Sequence, residues 1–193
     1  MHHFAGQRAP FARSMCTIPA GVFNERRPTT IPGYVETEWH GGKAWVQPEY
    51  PNLIFARDGE IYTLNGLRYL VIGGAYSVDK YYRLSRGWGW WPDEQPSPEI
   101  KAFVEQQIKS KPFDIVLSHT CPFKYEPTEM FLGGIDQSTV DDSTERWLDT
   151  IEEAIEYKAW FCGHWHTDKR IDKMHFLFHS FESDEQFKQS MED

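Results

Sequence analysis

Cysteine is scarce in this chain. Cys16, Cys121 and Cys162 are the only three in 193 residues. They are too few and too scattered for a disulfide framework, so a reducing compartment, the cytoplasm, is the expected setting. Long apolar runs are missing too. No stretch approaches the ~20 residues of a membrane span, and the N-terminus has no continuous apolar core of signal-peptide type, so no membrane partner is expected. Positive charge is in deficit, with 20 Lys and Arg against 29 Asp and Glu and a net charge of −9. No extended nucleic-acid surface is evident, because phosphate backbones are held by clustered cations. A small phosphorylated substrate is not excluded, since bound divalent cations can supply the positive charge that side chains do not.

Residues 1–30 lack Lys, Asp and any helical or strand periodicity. They combine Pro10, Pro19 and Pro28 with Arg8, Arg13, Arg26 and Arg27, which predicts an irregular, disordered arm. The remainder, residues 31–193, reads as one domain. Its 40% hydrophobic and 16% aromatic content, given for the whole chain, suits a globular protein with a buried core.

The texture from Ile31 onward predicts an α/β fold. Glu60 to Leu64, Asn65-Gly66 and Leu67 to Gly73 read as a two-residue hairpin, because Asn-Gly supplies two residues tolerant of positive φ. Ser97-Pro98-Glu99 is a helix start with an N-cap hydroxyl and proline in the first turn. Ile100, Phe103, Val104 and Ile108 then lie on one helical face. A second helix begins near Asp142 and Glu145, with Trp147, Leu148, Ile151, Ala154 and Ile155 as its apolar stripe. Phe113 to Ser118 and Lys158 to Cys162 read as buried strands, and Met174 to Phe181 as a last one.

Two of these strands end on histidine. Cys162-Gly163-His164-Trp165-His166 follows one, and its two imidazoles share a side if the backbone stays extended. Leu117-Ser118-His119-Thr120-Cys121-Pro122 closes the other. Strand ends that open into loops are where α/β proteins commonly place reactive groups, and imidazole suits Zn, Mn and Fe. Two such sites divided by an amphipathic helix predict neighbouring strands that aim ligands into one pocket.

Together, strand-Ser-His-Thr-x-Pro and strand-Gly-His-Trp-His resemble the last two metal motifs of calcineurin-like metallophosphoesterases. Trp39-His40-Gly41-Gly42-Lys43, Gly73-Gly74-Ala75, Ser77-x-Asp79-Lys80 and Trp90-Trp91-Pro92 are similar to a bacterial and phage branch of that family. The resemblance runs from about Ile31 to Phe181. It implies an αββα sandwich and a hydrolase in which two divalent ions, Mn, Zn or Fe, act on a phosphorylated small molecule or a phosphodiester. It also implies that His119 and His164 bind one ion and His166 the other. The family's earlier motifs, Asp-x-His, Gly-Asp-x-x-Asp and Gly-Asn-His, do not occur here. The expectation is therefore a family fold without its first βαβ portion, with impaired activity, at most one ion and no assigned catalytic residue.

Other residues leave alternatives open. Arg83 could hold a substrate phosphate as a bidentate donor or form a surface ion pair. Trp88, Trp90 and Trp91 could wall a substrate or pack their loop. His175 and His179 would share one face of the last strand as solvated or edge histidines. Cys121 and Cys162 raise a rival reading, a structural Cys2His2 zinc in a non-catalytic remnant or binding module.

Overall fold

A computed structural model describes residues 32–52, 54–110, 112–183 and 186–189. The arm predicted for residues 1–30, and Cys16 with it, lies outside the described residues. Strands β1 (Val35–Trp39), β2 (Gly42–Val46) and β3 (Ile54–Ala56) form a small antiparallel sheet in that order. His40 and Gly41 join the first two, with φ of +49° and +91°, a left-handed pair suited to a tight hairpin.

The second sheet has six strands. β4 (Ile61–Leu64) and β5 (Leu67–Ile72) are the predicted hairpin: Leu64 faces Leu67, and Asn65 and Gly66 turn at φ of +49° and +77°. β6 (Ile115–Ser118), β7 (Ala159–Cys162), β8 (Lys169–Ile171) and β9 (Met174–Phe176) complete it in the order β4-β5-β6-β7-β9-β8. β5, β6, β7 and β9 run parallel, and β4 and β8 are antiparallel edges. The last strand is shorter than the sequence predicts, because the chain leaves the sheet after Phe176.

The longer helices are α1 (Lys80–Ser85), α2 (Pro98–Gln107) and α3 (Ser143–Ala154). Ser97 caps α2, its hydroxyl accepting from the Ile100 N–H. Val104 and Ile108 from this segment, and Trp147, Leu148 and Ile151 from α3, cover one face of the large sheet over Leu70, Ile72, Val116, Trp160, Cys162, Met174 and Phe176. Tyr69, Val71, Ile115, Ala159 and Phe161 point to the opposite face, where Ala44 and partly buried Trp39 and Ile54 of the small sheet meet them. With both faces covered, the central strands are near-continuous apolar runs rather than alternating ones.

Tyr62 ties the two sheets together. It is fully buried, donates its hydroxyl to the Lys43 carbonyl at 2.6 Å and accepts from the Arg57 N–H at 2.8 Å. Burial pushes the phenol well above its ordinary range, despite the opposing Arg57 N–H. Tyr62→Phe keeps the ring but strands a donor and an acceptor, so urea unfolding should show a loss of about 1–3 kcal/mol. Wild-type stability would show that the inter-sheet hydrogen bonds contribute nothing.

Candidate functional site

The parallel strands deliver His119 and His164 to the same edge of the sheet. β6 and β7 are aligned Ser118 to Cys162, so the residues that follow emerge side by side. Main-chain hydrogen bonds fix that edge: the His119 N–H donates to the Ile72 carbonyl at 3.1 Å, and the Gly163 N–H donates to the His119 carbonyl at 3.0 Å. The two rings meet with His164 Nδ1 3.2 Å from His119 Nε2 and centroids 5.0 Å apart. Without an ion one of these nitrogens carries the hydrogen at the contact; as ligands both would be bare, with each ring's proton on its other nitrogen.

Both imidazoles are held neutral. Burial, then the charge of His166, lowers His119 to about 4. Burial, then the charges of His119 and His166, lowers His164 to about 3. Each residue keeps part of its surface exposed, yet loss of water around the rings is the main reason they stay neutral.

His166 reaches this site electrostatically rather than by the route its spacing predicts. The backbone does not stay extended after Gly163: His164 and His166 both adopt left-handed φ, +65° and +50°. Such φ values are uncommon for residues other than glycine and cluster at functional sites. His166 is turned to the surface and stacks on Phe178, with ring centroids 4.8 Å apart and planes 17° from parallel. Asp168 pins that partner segment by accepting from the N–H groups of Phe178, His179 and Ser180. The hydroxyl of Ser180 and these amides hold the Asp168 carboxyl far below the usual carboxylate range. Trp165 lies between the histidines in sequence, stacked on Phe131 at 5.7 Å and edge-on to His164 at 5.3 Å.

A metal fits the pair as two donors of one ion. Neutral imidazoles are the ligating form, and a 3.2 Å nitrogen separation matches two bonds of about 2.1 Å at an angle of roughly 100°. Among the described residues, no group of three or more His, Cys, Asp and Glu side chains is arranged to hold an ion. This applies to the implied two-ion centre and to the Cys2His2 arrangement alike. Cys121 and Cys162 are free thiols within the core. Burial and the neighbouring Cys162 thiol push Cys121 far above the ordinary thiol range, and the Cys162 thiol contacts Met174 Sδ at 3.9 Å.

The remaining candidates lie elsewhere. Arg83 sits on α1 with its Nε 2.9 Å from both carboxylate oxygens of Asp79, the ion-pair arrangement. Trp90 donates its indole N–H to buried Glu94, which also receives the N–H and hydroxyl of Ser77. Trp91 packs tightly over Gly89, and Trp88 is exposed. His175, expected to be a solvated or edge histidine, is instead buried, pairs with Glu182 at 3.1 Å and packs on Phe161. His179 lies beyond β9 and is exposed. A cleft of about 460 Å³ lined by Phe113, Glu152, Tyr157, Lys158 and Lys173 opens at the opposite edge, where β6 and β7 begin.

Two groups at the histidine edge have no sequence signal. Asp58 lies at the end of β5, one strand from His119, and accepts from the Gly73 N–H at 2.7 Å. Glu145, on the first turn of α3, is buried behind the His119 turn. Its Oε2 and Thr120 Oγ1 are buried with no hydrogen bond of proper geometry among the described residues. Burial is the main force raising Glu145 to about 7, opposed by its own N–H and the nearby Thr120 hydroxyl. Glu126 is likewise raised to about 7, by burial first and then by Glu145, Asp142 and Asp149 against Arg146. Only packing of the 122–127 loop against α3 brings these acids together.

No family model, no characterised protein and no solved structure matches the chain. Among the described residues no helix is long and apolar enough to cross a membrane.

Proposed function

We propose that this chain is a metal-dependent phosphoester hydrolase of low activity, with a calcineurin-like metallophosphoesterase fold. The observation that carries this reading is the contact of His119 Nε2 and His164 Nδ1 at 3.2 Å, at the ends of adjacent parallel strands. Two neutral imidazoles there would be donors to one divalent ion. An ion held by His119 and His164 would supply Lewis acidity toward a phosphoryl oxygen. His166 is exposed and close enough to the pair to act on both rings by its charge, and in this reading it faces the substrate side. The substrate class is a phosphorylated small molecule or a phosphodiester, and the sparse cysteines suit the cytoplasm.

A second reading has its own support. The lack of a third converging ligand among the described residues favours a binding module that holds one ion without turnover.

Turnover of bis(p-nitrophenyl) phosphate with Mn²⁺ separates the two. Slow release of p-nitrophenol, abolished by His164→Ala, supports the hydrolase. One bound ion per chain with no release beyond that of His164→Ala supports the binding module. Neither binding nor turnover overturns both.

A further inference from the structure

We infer that Trp160 is a positioning residue for the histidine pair, acting through the Ser118 hydroxyl; its link to metal rests on the hydrolase reading, its geometry does not. Trp160 is fully buried in β7 and sits diagonally across from Ser118 on β6, the kind of offset that a large side chain spans. Its indole N–H donates to Ser118 Oγ at 2.6 Å, and Ser118 donates its own hydrogen to the Thr120 carbonyl. The relay begins on the strand that carries His164 and ends on the turn that carries His119.

The relay bridges His119 in sequence, from residue 118 to residue 120. The main chain of His119 is held independently by Ile72 and Gly163. Those bonds fix where the residue sits, and the hydroxyl bridge fixes how the turn is tilted, hence the direction of the imidazole toward His164. A single hydroxyl hydrogen cannot serve two acceptors. The indole donor matters because it occupies a lone pair of Ser118 Oγ and orients its hydrogen toward Thr120.

A purely structural Trp160 fills the core and satisfies its own N–H. A positioning Trp160 also sets the contact between the imidazoles. Removing a group that orients a metal ligand commonly weakens metal affinity 10–100-fold. The test uses the whole chain with Co²⁺ as the probe, read by its visible absorption, alongside the nitrogen–nitrogen coupling across the His119–His164 hydrogen bond by NMR without metal. Trp160→Phe keeps most of the packing and removes the donor. Ser118→Ala removes the bridge, and Ser118→Thr retains a hydroxyl.

The expected result is Co²⁺ binding at least tenfold weaker and a lost inter-imidazole coupling in Trp160→Phe and Ser118→Ala, with both restored in Ser118→Thr. Wild-type coupling and wild-type Co²⁺ affinity in Ser118→Ala would overturn the proposal, even if Trp160→Phe fails to fold. If the wild type binds no Co²⁺, the metal reading fails and the coupling alone decides. Its persistence in either Trp160→Phe or Ser118→Ala overturns the positioning role, and its loss in both sustains it.

Discussion

Glu145→Gln should make the protein more stable than the wild type at pH 8, with the advantage disappearing by about pH 4.5. The carboxyl is raised from 4.5 to about 7 in the folded chain. The unfolded chain releases this proton as pH passes 4.5, and the folded chain retains it until about 7. Its contribution is therefore complete below 4.5 and lost as pH rises through 7. Above that point the wild type carries a buried charge beside Glu126, which glutamine never acquires. At 1.36 kcal/mol per pKa unit, the gain at pH 8 is on the order of 3 kcal/mol. Thermal melts from pH 4 to 8 would measure it. A constant difference between the two proteins across that range would refute the raised pKa.

The histidine pair works in the opposite direction. His119 and His164 are lowered from 6.5 to about 4 and about 3, so their contribution is present above 6.5 and lost as pH falls toward those values. Between pH 4.5 and 6.5, unfolding takes protons onto these two imidazoles and onto His175, which burial also lowers, and releases them from Glu145 and Glu126. The wild-type melting temperature should be correspondingly insensitive to pH in that window. Glu145→Gln exposes the histidine slope.

Zinc should raise the melting temperature by roughly 5–10 °C at a hundredfold excess over its dissociation constant. A ligand that binds only the folded chain at that excess contributes about 2.7 kcal/mol. A domain of this size gains roughly 2–4 °C per kcal/mol. Because two of the donors come from His119 and His164, His164→Ala should abolish the shift. Cys121→Ser should leave it intact, since this thiol belongs to the core cluster. A shift that survives His164→Ala and vanishes in Cys121→Ser would place the ion on the thiols instead. Differential scanning calorimetry of the three proteins decides between these outcomes.

The parts of the fold visible in the sequence are those specified locally. Asn65-Gly66 dictates its turn, Ser97-Pro98 dictates a helix start, and the apolar runs into His119 and His164 mark strands that end on imidazole. The small sheet is less visible, since Val35 to Trp39 carries two glutamates and only the His40-Gly41 turn reveals the hairpin. The left-handed backbone at His164 and His166 was not visible either, because alternation along a strand describes side chains only while the strand lasts. Nor could periodicity show that His175 is buried, since Glu182 and Phe161 reach it from outside β9. Asp58 and Glu145 acquire their surroundings through contacts far away in sequence.

The contact between His119 and His164 joins residues 45 apart, on strands that pair only once α3 has crossed between them. The β4–β5 hairpin can close within microseconds, but parallel pairing must first overcome the entropy of a long loop. The imidazoles therefore come into register late in folding, after the hairpin has formed. During synthesis, β7 leaves the ribosome well after β6, and for that interval the side of β6 away from β5 is an open edge.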